Sequence, residues 1–170
     1  MRKLLGVAAL VVCAILAVNL AFVTIPALMS KNRDPRNEHV QMYAHLRWGV
    51  DPTTIVADLW GITPEASMVD VDRVLFDTAE VLQNKSFSQV ELAWRGRGRF
   101  LLDGDYFRQI GREREWQNPV YVVRTLPENL KRMNGLPAFD TWTGGLLGVV
   151  NRQMEDHAEF HRQWYLKELL

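Results

Sequence analysis

An apolar run at the N-terminus constrains this chain more than any other feature. After Met1-Arg2-Lys3, residues 4–29 are apolar except for Asn19 and Thr24, and Pro26 lies near the end. As a helix this run would be about 39 Å long, and the hydrocarbon core of a bilayer is about 30 Å thick. The sequence therefore predicts one membrane-spanning signal-anchor helix over residues 1–29.

A cleaved signal peptide is the alternative interpretation of this run. Its apolar core would extend over residues 4–18, and cleavage after Ala21 would place the polar Asn19 at the −3 position, where a small residue is expected. A lipoprotein signal fits poorly, because Val12 precedes Cys13. The uncleaved anchor fits the residues better, since the apolar run continues well beyond Ala21.

The basic residues on the two sides of the run are nearly balanced. Arg2 and Lys3 precede it, and Lys31, Arg33 and Arg36 follow it, so the positive-inside rule gives no clear orientation. A short basic start followed at once by an apolar run is typical of an export signal. We therefore expect a single-pass protein of the bacterial inner membrane with a periplasmic domain.

Charge and cysteine content exclude several classes of function. Five of the 20 basic residues and one of the 20 acidic residues lie in residues 1–37, which leaves 15 basic and 19 acidic residues and a net charge of −4 beyond them. An acidic domain is a poor partner for nucleic acid, whose binding depends on neutralising phosphates. The only cysteine, Cys13, lies in the apolar run, so intramolecular disulfides, thiolate zinc sites and a thiol nucleophile in the soluble domain are excluded.

The rest of the chain predicts a juxtamembrane linker over residues 30–48, with room for a short helix at 40–48, and a soluble α+β domain over residues 49–170. Apolar residues recur at helical spacing within residues 69–85, where Ser67 or Asp70 is the predicted cap. We expect further helices at 106–114, 127–133 and 143–167, and strands at 54–59, 89–94, 99–102 and 119–124. These elements predict a small antiparallel-type sheet packed against two main helices.

His157 and His161 carry the strongest chemical signal. Residues four apart on a helix project from one face, a spacing that suits two ligands of one metal ion. The segment is neither HExxH nor its inverted form, and both histidines fall on the apolar stripe of the last helix. Buried structural histidines are therefore the simpler interpretation, and a zinc pair completed by a carboxylate such as Glu128 or Asp140 is the alternative.

Three further groups of residues are candidate contacts. Gly144 and Gly145 open the last helix and could expose backbone N–H groups to an anion, although no phosphate-binding motif surrounds them. Basic side chains alternate around a predicted hairpin tip, where they could meet acidic lipids or a partner protein. The aromatic pair near the C-terminus could belong to an interface. The predicted partner-binding residues are Arg95, Arg97, Arg99, Trp164 and Tyr165.

Several short segments together resemble a group of small bacterial proteins with an N-terminal membrane segment. The resemblance covers roughly residues 70–168, and its segments are residues 117–121, 124 with 127–128, 142–145, 153–156, 160–161 and 164–165. It implies a bacterial envelope origin and one compact domain, and it implies no activity.

These observations favour a non-enzymatic, membrane-tethered accessory or binding domain of the bacterial cell envelope, with another envelope protein as its partner and no cofactor. A small metal-dependent hydrolase that uses His157 and His161 is one alternative. An adaptor for anionic lipid surfaces is the other.

Overall fold

The computed structural model describes residues 2–169, and the side-chain environments of all of these except residues 2–5, 8, 9 and 146. Met1 of the predicted anchor lies outside the described residues. The fold is α+β, with an apolar N-terminal helix and a five-stranded mixed sheet.

The N-terminal apolar residues form one continuous helical rod. Helix α1 (Arg2–Asn19) passes through a π-helical turn (Leu20–Thr24) into helix α2 (Ile25–Lys31). The π turn precedes Pro26, whose ring would clash with the carbonyl four residues earlier in a regular α-helix. Residues 10–31 are long and apolar enough to cross a membrane, a test that a signal sequence also passes.

Five strands form the sheet in the order β1-β2-β3-β4-β5: β1 (Val40–Arg47), β2 (Asp51–Ile62), β3 (Gln89–Trp94), β4 (Arg97–Asp103) and β5 (Lys131–Arg132). Strands β2 and β3 are parallel, and the other neighbours are antiparallel. The β1–β2 turn therefore lies at one end of the sheet, and the β3–β4 turn lies at the opposite end.

Within residues 2–169, four more α-helices follow: α3 (Met68–Leu82), α4 (Gly104–Glu113), α5 (Pro119–Thr125) and α6 (Leu146–Trp164). Alternate sheet residues, such as Met42, Ala57 and Leu92, join one buried core with α3, α4 and the end of α6. The C-terminal part of the N-terminal rod belongs to this core as well, through Val23 and Ala27.

Several predicted elements are confirmed. Helix α3 begins with a capping box in which Ser67 and Asp70 bond each other's backbone. The predicted strands at 54–59, 89–94 and 99–102 fall within β2, β3 and β4, and the last helix is α6.

Other predicted elements are wrong. Residues 40–47 form strand β1 and not a helix, because Val40, Met42, Ala44 and Leu46 alternate into the core. The sheet thus includes residues assigned to the linker. The predicted antiparallel sheet is mixed, because α3 carries the chain back between β2 and β3.

Residues 119–124 form helix α5 and not a strand. Asn118 caps it by accepting a hydrogen bond from the Val120 N–H, and Pro119 occupies the first turn. The helix predicted at 127–133 is a single 3₁₀ turn (Pro127–Asn129) followed by β5.

Candidate metal centre

Asp72, His157 and His161 converge between α3 and α6. Asp72 lies on α3 beside Val71 and Leu75, on the face that the helix buries. The histidines lie one turn apart on α6, so both rings project toward α3. Burial of apolar neighbours on both helices thus holds three polar side chains in one place.

The three side chains make close contacts at one point. His157 Nε2 lies 2.7 Å from Asp72 Oδ2, and His161 Nε2 lies 3.0 Å from Asp72 Oδ1. The two Nε2 atoms lie 3.1 Å apart. In tetrahedral zinc sites with bonds of about 2.0–2.2 Å, neighbouring ligand atoms are separated by about 3.3–3.6 Å. The 2.7 Å contact between His157 and Asp72 is shorter than this by at least about 0.6 Å, so these side chains are at hydrogen-bond distances and would have to move apart to hold a metal ion.

The tautomer of His161 decides how this cluster is paired, because a neutral imidazole has one N–H. His161 Nδ1 lies 3.1 Å from the Tyr165 hydroxyl. If the hydroxyl donates to Nδ1, the Nε2–H of each histidine can donate to Asp72, and the three side chains are paired without a metal ion. If Nδ1 donates to the hydroxyl, the Nε2 lone pair faces the carboxylate of Asp72, and a metal ion between the three side chains would satisfy both.

The chemistry of the donors fits a divalent transition metal. Two neutral imidazoles and one carboxylate are three of the four ligands that zinc takes, and in zinc sites with this set a water molecule holds the fourth position. The Tyr165 hydroxyl occupies the position of an outer partner that fixes the tautomer of a metal-bound histidine. Burial raises the pKa of Tyr165, with the charge of Asp72 as a further cause, so this hydroxyl stays neutral.

The electrostatics of Asp72 agree with a nearby positive charge. Burial opposes ionisation of this carboxyl, but His161 and His157 outweigh that effect and hold the pKa of Asp72 below its ordinary value. The group therefore stays a carboxylate in the core, where an unpaired charge would be costly.

The cluster is closed to solvent. Asp72 is 1% exposed, His157 2% and His161 0%. Structural zinc sites are closed, whereas catalytic sites keep a position open for water or substrate. A metal ion here would connect α3 to α6 and have no substrate access.

The structure brings together only part of the sequence-predicted set. His157 and His161 do share a site, but the expected third ligand is wrong. Asp72 completes the metal-type cluster found among the described residues, whereas Glu128 and Asp140 do not take part. Glu128 instead lines a shallow cavity of about 100 Å³ with Tyr106, and burial raises its pKa while Arg124 opposes this.

The prediction that the aromatic pair near the C-terminus lies at an interface is also wrong. Trp164 and Tyr165 are both fully buried. The Trp164 indole N–H donates to the carbonyl of Ala93 at 2.9 Å, and its ring stacks on Phe160. Both aromatic residues therefore belong to the core and do not form an exposed partner surface.

The three arginines and two glycines lie apart from the metal-type cluster. Arg95 and Arg97 are exposed at the β3–β4 turn, while Arg99 pairs with Glu168. Gly144 and Gly145 are exposed before α6, and Gly144 has a φ of +133°, which favours glycine. Partner binding by the arginines and anion binding by the glycines stay predictions.

No family model, curated protein or solved structure matches this chain.

Proposed function

We propose that this chain is a membrane-tethered, non-enzymatic accessory domain of the bacterial cell envelope, and that a divalent metal ion between Asp72, His157 and His161 stabilises its core. A contact between the apolar helix and the domain supports the proposal that the helix is retained as a tether. The side chain of Asn19 accepts a hydrogen bond from the Leu46 N–H at 2.8 Å, in the buried interior.

This connection argues against removal of the helix. Cleavage after Ala21 would remove Asn19 and leave the Leu46 N–H without its acceptor, a loss of about 1–3 kcal/mol for a buried group. It would also create a new chain end next to Val23, which is buried in the core. An uncleaved anchor avoids both costs.

The exposed part of the rod suits lipid. Large apolar side chains project outward along it, including Val7, Leu10, Val11, Val12, Leu16 and Val18. Water is a poor solvent for such a stripe, and a bilayer removes it from water. The basic N-terminal start favours a domain outside the cytoplasm, as export signals do.

Protease added to intact spheroplasts tests the tether and its orientation together. We expect a full-length chain that resists carbonate extraction and whose C-terminal tag is digested from outside. A tag that is protected until the membrane is lysed would reverse the orientation. A chain released by carbonate would contradict the tether.

The closed cluster supports a stabilising metal over the hydrolase alternative. A hydrolase needs an open coordination position for water or substrate, and all three side chains are at most 2% exposed. Metal analysis of the purified full chain is the test, and we expect about one zinc per chain, as a single structural site requires. Protein that stays metal-free and melts at the same temperature with added zinc would contradict the metal site and leave a hydrogen-bonded cluster in its place.

The partner surface is proposed at the β3–β4 turn. Its exposed Arg95 and Arg97 lie at the end of the sheet opposite the β1–β2 turn. The Arg95 guanidinium donates to the Trp60 carbonyl at 3.0 Å and stacks over Trp94, so its position is fixed. The substitution Arg97→Glu leaves these contacts of Arg95 in place. We expect it to abolish crosslinking to an acidic envelope partner.

A further inference from the structure

We propose that the tip of the β1–β2 hairpin, residues Arg47–Val50, inserts into the bilayer below the headgroups, beside the N-terminal helix. This inference rests on the proposed tether and adds a second membrane contact, with lipid as its partner. It would fix how the domain is oriented on the membrane surface.

The tip has an aromatic residue in an unfavourable backbone conformation. Trp48 has a φ of 53°, in the left-handed region that side chains other than glycine, asparagine and aspartate seldom adopt, and it is 79% exposed. Val50 is exposed as well. Most of the indole surface is thus outside the core, and burial in lipid removes that apolar surface from water.

The tip lies directly against the apolar helix. A Cβ added to Gly49 would be 3.2 Å from the Leu16 side chain, so the turn backbone is in close contact with the helix at Leu16. The bonds from Gly49 N to Leu46 O at 2.8 Å and from Val50 N to Arg47 O at 3.2 Å hold the turn in shape. The level of the tip along the helix is therefore fixed.

Helix length then places the tip within the bilayer. From Leu4 to Leu16 the helix rises only about 20 Å, and a hydrocarbon core is about 30 Å thick. The remaining 10 Å corresponds to about seven residues beyond Leu16, near Phe22. A bilayer that covers the helix thus reaches the tip, and tilting the helix would increase the overlap.

The positions of two basic side chains, Lys85 and Arg47, are consistent with a bilayer boundary near Phe22. The Lys85 amine lies 4.9 Å from the centre of the Phe22 ring, at the level where headgroup phosphates are expected. Arg47 stacks over Trp48 at 4.9 Å and pairs with Glu91 at 3.3 Å. The one cationic side chain of the tip is therefore neutralised by a neighbour on the sheet.

The β3–β4 turn provides a matched control. Arg95 and Gly96 have φ values of 49° and 76°, against 53° and 75° for Trp48 and Gly49. The two turns share a backbone shape, lie at opposite ends of the sheet and differ in that one carries tryptophan and the other arginine. Val50 and Arg97 occupy equivalent positions after them.

Site-specific fluorescence quenching tests the inference. In a Cys13→Ser background, Val50→Cys and Arg97→Cys each receive an environment-sensitive fluorophore, and the full chain is reconstituted in phosphatidylcholine–phosphatidylglycerol vesicles. We expect lipids with a nitroxide on the acyl chain, about 10 Å below the headgroup, to quench the label at position 50 at least about threefold more than the label at position 97. Adding Trp48→Glu should reduce that quenching, and Trp48→Tyr should preserve it.

Equal, weak quenching at the two positions would overturn the insertion while carbonate resistance still upheld the tether. Quenching at position 50 that is unchanged by Trp48→Glu would overturn the role of Trp48. A chain extracted by carbonate would overturn both the tether and this inference, so the two failures are distinguishable.

Discussion

The carboxamide oxygen of Asn19 accepts a hydrogen bond from the backbone N–H of Leu46 at 2.8 Å. The bond joins the apolar N-terminal helix to strand β1 in the buried interior. A polar residue within an apolar run thus has a defined structural role, and the C-terminal part of the helix packs as part of the folded domain.

Replacing Asn19 should destabilise the chain. Asn19→Leu leaves the Leu46 N–H unpaired, and we expect the free energy of unfolding to fall by about 1–3 kcal/mol. At this size that corresponds to a drop of about 2–4 °C in melting temperature for each kcal/mol. Circular dichroism of the full chain in detergent micelles measures it.

Thr24→Val is the matched control for Asn19→Leu. The Thr24 hydroxyl is buried in the same rod and has no hydrogen-bond partner among the described residues. Because no bond is lost, we expect a melting temperature equal to or slightly above that of the unaltered chain. Equal losses for both substitutions would show that the Asn19 bond contributes nothing specific.

Asp72→Asn should remove the metal. The substitution keeps the shape of the side chain but removes the charge that the two histidines face, so we expect zinc content to fall below detection. Breaking a buried charged cluster costs about 3–5 kcal/mol. Asp156→Asn, next to His157 but bonded to the Trp142 indole at 2.6 Å, should keep the metal. Full zinc content in the Asp72 variant would rule out the proposed site.

The substitution Tyr165→Phe tests the contribution of the outer hydroxyl while leaving the three proposed metal ligands in place. It removes only the hydroxyl that lies 3.1 Å from His161 Nδ1. Loss of an outer partner typically lowers metal affinity by about 10–100-fold, so we expect weaker zinc binding by a folded chain in competition with a chelator. Unchanged affinity would mean that Tyr165 does not orient His161.

The sequence predicts local features of this fold well. Ser67 and Asp70 start α3 by contacts within one helical turn, and such signals can be recognised in the sequence alone. At residues 119–125 the β-branched residues misled the prediction, while the cap at Asn118 and the proline after it gave the correct signal. The strand at 40–47 was visible in the alternation of Val40, Met42 and Ala44.

The candidate site was only half predictable, for a different reason. The spacing of His157 and His161 indicates a shared helix face, but Asp72 is 85 residues before His157, and only the packing of α3 on α6 brings them together. One signal was present, because Asp72 lies on the apolar stripe of a predicted helix. A buried acid needs a cationic partner, and the histidines were the available candidates.

The stability of the chain should depend on pH through His45. Its contact with Asp58, supported by the Leu46 carbonyl and the charge of Glu91, raises the pKa of His45 above its ordinary value of 6.5. A raised histidine pKa stabilises the fold fully below the unfolded pKa, and this contribution is lost as the pH rises through the folded pKa.

We therefore expect the free energy of unfolding to decrease as the pH rises above about 6.5, by no more than about 1 kcal/mol because His45 is partly exposed. Denaturant titrations at a series of pH values measure this change. His45→Gln should remove this part of the slope. A variant with the same slope as the unaltered chain would assign it to other groups.

The intact mass of the membrane-bound chain tests the central claim most directly. We expect protein purified from bacterial membranes to retain its N-terminal helix and to have the mass of 19.6 kDa that this sequence gives. A mass that corresponds to a chain beginning after Ala21 would contradict it, because the domain would then exist without Asn19 and its bond to Leu46.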